Sequence, residues 1–280
     1  MFEGFYTFGG GHFWEDVFFY QKWRIQRNYI SKKCRLLDNW DISRFEGSFE
    51  ECRQAFIQYI EAFELPRQKG HMIIMLPGLG ESKNIFKPLW RAALKEGFMA
   101  AAVNYPSTQK EIDGHVRQLD FFLNHLEDVE QVSFVSLGAG SIILKRLFML
   151  ETPWRQRLKL GRVVEVRPQN HGSRLLKKLS KFKFCHFILG PMAAEMSPAE
   201  IEKIPPLPKG IEVGLVLSES PWTRLWEKLT ATSSPKPNPE AELQFEKATD
   251  VVEIRSRKWN IFENKAVVEA VVKFLTTGKF

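Results

Sequence analysis

Cysteine is scarce in this chain of 280 residues, and its pattern excludes several classes of protein. Cys34, Cys52 and Cys185 are far apart, odd in number, and form no CxxC pair. No cysteine and histidine cluster has the spacing of metal ligands. We therefore expect reduced and buried thiols, no disulfide framework, and neither a metal nor another cofactor.

Long apolar runs and targeting signals are also missing. No run approaches the roughly 18 apolar residues that cross a bilayer, and residues 1–20 lack the basic start and apolar core of a signal peptide. These absences predict a cytoplasmic protein that is at most peripherally attached to a membrane. The net charge of +7 favours a solvated basic surface. Without an RNP, helix-turn-helix or zinc-finger pattern, we expect no nucleic-acid partner.

Residues 1–70 differ in composition from the remainder. Aromatic and basic residues dominate 12–27, and apolar residues recur every three or four positions over 48–63. The second pattern predicts an amphipathic helix, with Ser48 and Glu51 spaced as a capping box. The segment 66–70 then breaks the pattern. We interpret residues 1–70 as an aromatic and helical N-terminal extension.

Residues 71–280 alternate short apolar runs with segments of helical periodicity. This alternation predicts an α/β domain with a mostly parallel sheet that is flanked by helices. The predicted strands are 71–76, 98–103, 131–135, 163–166, 211–217 and 251–254, and the predicted helices are 84–96, 111–126, 141–149 and 266–275.

Ligands of such sheets bind at the carboxyl ends of the strands, where several short motifs occur. The sequence FVSLGAGS at 134–141 lies where a strand turns sharply into a helix. Further motifs are PGLG at 77–80, NYPS at 104–107, PQNHGS at 168–173, LGP at 189–191 and the ending FL..G.F at 274–280. In this order they resemble the bacterial lipase and esterase-like members of the α/β-hydrolase superfamily. The resemblance implies an α/β-hydrolase fold and hydrolysis of acyl esters.

The departures from the family pattern fall on the three reactive positions. Aligned without gaps, Gly138 takes the place of the nucleophilic serine in the strand-to-helix turn. Lys258 lies at or near the position of the catalytic histidine, and Pro239 lies near the position of the acid. A glycine has no atom that attacks a carbonyl. The resemblance therefore implies a pseudo-hydrolase, which acts as a binding or scaffold protein.

A shifted alignment leaves a second interpretation open. If the alignment is moved by two residues, Ser136 takes the nucleophile position in the strand-to-helix turn, which the family calls the nucleophile elbow. Phe134 then lies two residues before it, where the family has a small residue. His171 is then the candidate base, and Glu240 the candidate acid. In this alternative the chain is an active or rewired lipase or esterase.

The groups that bind the substrate oxygen in this family are backbone N–H groups, so they depend less on side-chain identity than the catalytic residues do. The resemblance assigns the two backbone N–H donors of the oxyanion hole to Leu79 and Ala139. Because backbone donors survive substitution, a vestigial pocket that holds a lipid or acyl ligand is the expected partner site.

A basic amphipathic segment at 174–184 allows a third interpretation. It combines leucine and phenylalanine with lysine and arginine, as helices on anionic membrane surfaces do. At about three turns, however, it also fits a helix that packs its apolar face on the sheet, which is the interpretation we favour. A peripheral membrane protein remains the alternative.

Overall fold

The computed structural model describes residues 5–6, 13–172, 190–219, 238–256 and 258–280. They form an N-terminal antiparallel sheet with one helix, followed by a parallel sheet with helices on both faces. The strands are β1 Phe5–Tyr6, β2 Trp14–Tyr20, β3 Trp23–Asn28, β4 Cys34–Leu37, β5 Ile42–Gly47, β6 His71–Leu76, β7 Met99–Ala102, β8 Gln131–Leu137, β9 Lys159–Val166, β10 Val213–Leu217 and β11 Asp250–Glu253. The helices are α1 Phe49–Ala62, α2 Lys87–Lys95, α3 Ile112–Asn124, α4 Gly140–Phe148, α5 Trp154–Arg157, α6 Pro198–Ile201, α7 Pro239–Glu246 and α8 Lys265–Thr277, with 3-10 turns at Lys83–Phe86 and Ile261–Glu263.

The extension is a five-stranded antiparallel sheet in the order β1-β5-β4-β3-β2, and α1 packs on it. Its strands are absent from the sequence prediction, which gave only the helix. The reason is that β2 is buried on both faces, so its apolar residues do not alternate with polar ones. Phe18 packs towards α1, whereas Phe19 belongs to the core of the parallel sheet.

Helix α1 forms as the sequence predicts. Ser48 and Glu51 make the complete capping box, in which each side chain bonds the backbone N–H of the other residue. On the buried face, Phe56 meets the rings of Phe18, Tyr20 and Trp23 at centroid distances of 5.3 to 5.9 Å. Cys34 and Cys52 lie in the same core as free buried thiols, while Cys185 lies outside the described residues.

The second sheet has the strand order β11-β10-β9-β8-β6-β7, and all neighbouring strands are parallel. Alternate residues of β6 face the two cores: Met72, Ile74 and Leu76 pack with α3 and α4, and Ile73 and Met75 pack with α2 and α8. A strand buried on both faces reads as a continuous apolar run. The α/β class, the parallel sheet and the N-terminal extension are thus confirmed.

Most predicted strands and helices of 71–280 occur within a few residues of their predicted ends. The difference that matters for the site is in β8, which extends to Leu137, two residues beyond its predicted end. Among the described helices, none is both long enough and apolar enough to cross a membrane.

Substitution of the central ring in the extension tests how α1 is held. Phe56→Ala is expected to lower the free energy of unfolding by about 3–5 kcal/mol, because it removes a fully buried ring and leaves a cavity. Ile57→Ala, one position along on the exposed face, serves as the control and is expected to change it little. Urea unfolding of both variants measures the difference. Equal effects of the two substitutions would contradict this packing.

Candidate functional site

The turn between β8 and α4 lies at the carboxyl edge of the parallel sheet. Gly138 has a φ of +52°, in the left-handed region that favours glycine. Its N–H donates to the carbonyl of Val166 at 3.0 Å, which ties the turn to the end of β9. Gly140 lies so close to β6 that a Cβ atom there would be 2.8 Å from the Leu76 carbonyl oxygen. The turn therefore needs glycine at 140 for a steric reason that is independent of catalysis.

Gly138 is half-buried and opens on free space. A Cβ atom built on it would have a single described neighbour within 4 Å, the Cα atom of Gly78 at 4.0 Å. The position therefore faces the 77–81 turn, which follows β6. A side chain at position 138 would project between the 77–81 turn and the turn after β8, and glycine leaves this space empty.

Two backbone donors flank this space. Leu79 lies in the 77–81 turn, and Ala139 precedes the first residue of α4. Within the described part of the chain, the N–H groups of Leu79 and Ala139 donate no hydrogen bond. The positive end of the α4 dipole lies at the same place. This arrangement suits an acceptor oxygen, as the resemblance implies.

Hydrogen bonds fix the shape of the 77–81 turn. The Gly78 N–H donates to Oε2 of Glu81 at 3.1 Å, and the Glu81 N–H donates to the Gly78 carbonyl at 3.2 Å. From the neighbouring loop, the hydroxyl of Tyr105 donates to the Pro77 carbonyl, and Oγ of Ser107 accepts from the Gly80 N–H at 2.9 Å. The NYPS motif thus holds the PGLG turn from outside.

Glu81 is a charged group beside the site that the sequence analysis missed. Burial raises the pKa of its carboxyl, and the Gly78 N–H and the charge of Arg167 lower the pKa in part. It lies three residues after the first glycine of the turn, but only the fold brings its carboxyl back to that glycine.

Ser136, the alternative nucleophile, lies inside β8 and not on the turn. It pairs with Leu76 of β6 on one side and Glu165 of β9 on the other. Its exposed fraction is 0%, and its hydroxyl has no hydrogen-bond partner among the described residues. An ester outside the protein does not reach this hydroxyl in the conformation described.

His171, the alternative base, lies at the surface with 59% of its side chain exposed. Its Nε2 atom is 2.7 Å from Oε1 of Glu242, and its ring packs on Phe245. Glu240, the alternative acid, is exposed in the first turn of α7. The fold therefore brings His171 to an acid, but to Glu242 and not to Glu240.

The two remaining predicted positions are Lys258 and Pro239. Lys258 is exposed, and its ammonium is 3.8 Å from the exposed carboxylate of Glu263. Pro239 is the first residue of α7, where its missing N–H costs no hydrogen bond. Among the described residues, no hydrogen bond or ion pair joins Lys258, His171 or Glu240 to Gly138.

Behind the turn lies a set of four ionisable side chains and one amide that we call the buried charge network: Lys145, Glu165, Asn170, Glu242 and Glu246. The Lys145 ammonium is 2.6 Å from Glu246, 2.7 Å from Asn170 and 3.5 Å from Glu165. Asn170 in turn donates to Glu242 at 3.0 Å, so His171 is the outer end of the network. All five members are less than 10% exposed.

This network contains one ammonium group and three carboxyl groups, of which Lys145 contacts those of Glu165 and Glu246 directly. Burial raises the pKa of Glu165 to about 7, and the Lys145 charge offsets this only in part. The sequence contained a signal for this network, which the sequence analysis did not use. Glu165 interrupts the apolar run 163–166, and Lys145 interrupts the apolar residues of α4, and charged residues in such positions are rarely buried unless paired.

Two further expectations concern other kinds of site. The basic segment 174–184 lies outside the described residues. In the ranges that are described, no group of three or more histidine, cysteine or acidic residues is placed to hold a metal ion.

Comparisons with known proteins add matches of structure alone. No family model matches the sequence, and no curated protein matches it. Solved structures that match include the type II thioesterase BorB of the borrelidin biosynthetic cluster, with 16% identity, a TM-score of 0.49, and coverage of 74% of this chain and 92% of that one. A hydrolase from Oleispira antarctica has 10% identity, a TM-score of 0.49, and coverage of 76% and 92%. A monoacylglycerol lipase from Paleococcus ferrophilus has 15% identity, a TM-score of 0.45, and coverage of 72% and 94%. Similarity at this level does not transfer an activity or a ligand.

The pKa of Glu165 makes stability depend on pH. Between pH 4.5 and about 7, the Glu165 carboxyl keeps its proton in the folded state. In the unfolded chain the same carboxyl has the ordinary pKa of 4.5 and has released the proton. The contribution of Glu165 to stability is therefore present in acid and is lost as pH rises from 4.5 to about 7. Glu165→Gln is expected to remove this loss, which is on the order of 1 kcal/mol per pH unit.

Urea unfolding at pH 5 and pH 8 measures this effect. The exposed Glu240→Gln variant is the control, because it removes one carboxylate from α7 outside the network. If Glu165→Gln loses as much stability between the two pH values as the wild type does, the proton is not held at Glu165.

Proposed function

We propose that this chain, whose described part has the α/β-hydrolase fold, is a non-catalytic homologue that binds a lipid or acyl ligand above Gly138. The observation that carries the proposal is the turn after β8. It has the positive φ of a strand-to-helix elbow but presents a glycine. Without a hydroxyl or thiol at this position, no covalent acyl intermediate forms there.

The groups that remain favour binding. The N–H groups of Leu79 and Ala139 flank the free space at Gly138, and an acyl carbonyl oxygen is the acceptor that such a pair suits. The end of α4 adds its dipole to the same attraction. Binding needs only these fixed donors, whereas hydrolysis also needs a nucleophile and a base.

Among the described residues, the two alternative candidates Ser136 and His171 do not supply the missing groups in this arrangement. Ser136 is enclosed within β8, and His171 is paired with Glu242 at the surface. Hydrolysis by Ser136 would require β8 to open.

The first experiment measures hydrolysis of p-nitrophenyl esters from acetate to palmitate, together with labelling by a serine-directed fluorophosphonate. Wild-type protein is expected to show neither. Ester hydrolysis that disappears in Ser136→Ala, or stoichiometric labelling of the wild type, would overturn the proposal and identify a working hydrolase.

The second experiment measures binding of laurate and monolaurin by calorimetry. Gly138→Leu fills the space above the turn and is expected to weaken binding roughly tenfold or more, as the loss of a central contact does. The matched control is Gly97→Leu, because Gly97 also has a positive φ and open surroundings but precedes β7 at the opposite edge of the sheet. Equal affinities of the two variants would place the ligand elsewhere.

A further inference from the structure

The N-terminal extension contacts both loops that frame the candidate site. Asp41 pairs with Lys83, two residues after the 77–81 turn, at 2.8 Å. On the other loop, Glu15 pairs with Lys110, and the Tyr29 hydroxyl donates to Gln109 at 2.9 Å. These contacts come from separate parts of the extension, and all reach residues at the carboxyl edge of the parallel sheet.

The most buried of these contacts joins Asp16 of β2 to Asn104, which follows β7. The Asp16 N–H donates to the Asn104 carbonyl at 2.9 Å, and the Asn104 N–H donates to Oδ2 of Asp16 at 2.7 Å. The side-chain amide of Gln118 in α3 donates to the backbone carbonyls of Asp16 and Asn104, each at 2.9 Å. Asp16, Asn104 and Gln118 are each no more than 2% exposed.

The same loop continues directly into the groups that hold the 77–81 turn. Tyr105 follows Asn104 and bonds the carbonyl of Pro77, and Ser107 accepts from the N–H of Gly80. Leu79, the donor residue, lies between these two attachment points. A path of hydrogen bonds and short stretches of backbone therefore leads from β2 through the 104–107 loop to the residues on either side of Leu79.

We infer that the extension sets the position of the Leu79 N–H, with Asp16, Tyr105 and Ser107 as positioning residues. Apart from the exposed Gly80, the residues that make these links are buried, so their polar groups have few alternative partners. The consequence for binding depends on the proposed function, but the mechanical link does not.

The test compares two buried aspartates of the full-length chain. Asp16→Asn replaces an acceptor oxygen by an amide, so Gln26 and Asn104 can no longer both donate to this side chain. Asp38→Asn is the matched control, because Asp38 is 1% exposed and bonds Arg44 and the backbone of 40–42 within the extension. Ser107→Ala is a milder second variant that removes the acceptor of Gly80.

Hydrogen exchange of peptides that span 76–83 is the first readout. Asp16→Asn and Ser107→Ala are expected to speed exchange there roughly tenfold, as loss of one such hydrogen bond does. Asp38→Asn is expected to leave these peptides unchanged, and peptides of β10 and α8 report whether the whole fold has loosened. Unchanged exchange at 76–83 in both test variants, or equal acceleration in Asp38→Asn, would overturn the inference.

Laurate and monolaurin affinities are the second readout, and they separate this inference from the proposed function. Faster exchange at 76–83 with weaker binding supports both. Faster exchange with no binding to any protein, wild type included, supports the link and rejects the ligand. Faster exchange with unchanged affinity supports the link and shows that the Leu79 donor is not part of the binding site, which overturns that part of the proposed function.

Discussion

The position of the antiparallel sheet against the parallel sheet depends on the hydrogen bonds that the carboxylate of Asp16 accepts. A buried carboxylate must find donors, because its desolvation is not otherwise compensated. Asp16 finds them in both parts of the chain, since Gln26 belongs to β3 and Asn104 follows β7. Satisfying one acid therefore fixes where β2 lies against the end of the parallel sheet. The apolar contacts of Phe19 with the core of that sheet add to a position that is already specified.

Close backbone packing explains why both turns at the carboxyl edge keep their glycines. Gly140 is required by the carbonyl oxygens of Leu76 and Pro77, and Gly78 lies against Oε2 of Glu81 and the Leu137 carbonyl. These contacts belong to the fold and persist whether or not a nucleophile is present. The short motifs of this chain therefore indicate how the backbone packs at the carboxyl edge of the parallel sheet, and they say less about which reaction occurs there.

Much of the fold was predictable from sequence, and the limits have physical causes. The alternation of strands with helices, the apolar run of β6 and the capping box of α1 rest on local patterns, which the structure reproduces. The sheet of the extension was missed because β2 is covered on both faces. Within the site, the turn at Gly138 was located, but the buried charge network joins residues far apart in sequence, which periodicity does not pair.

Gly138 has one more consequence, which concerns stability and not binding. Any residue with a Cβ atom at a φ of +52° is strained, by roughly 1–2 kcal/mol. An enzyme with a serine in this turn carries that strain as part of its mechanism. In this chain a glycine adopts the same turn without that strain. A residue with a hydroxyl in this turn would therefore lower the stability of the fold, whatever the turn binds.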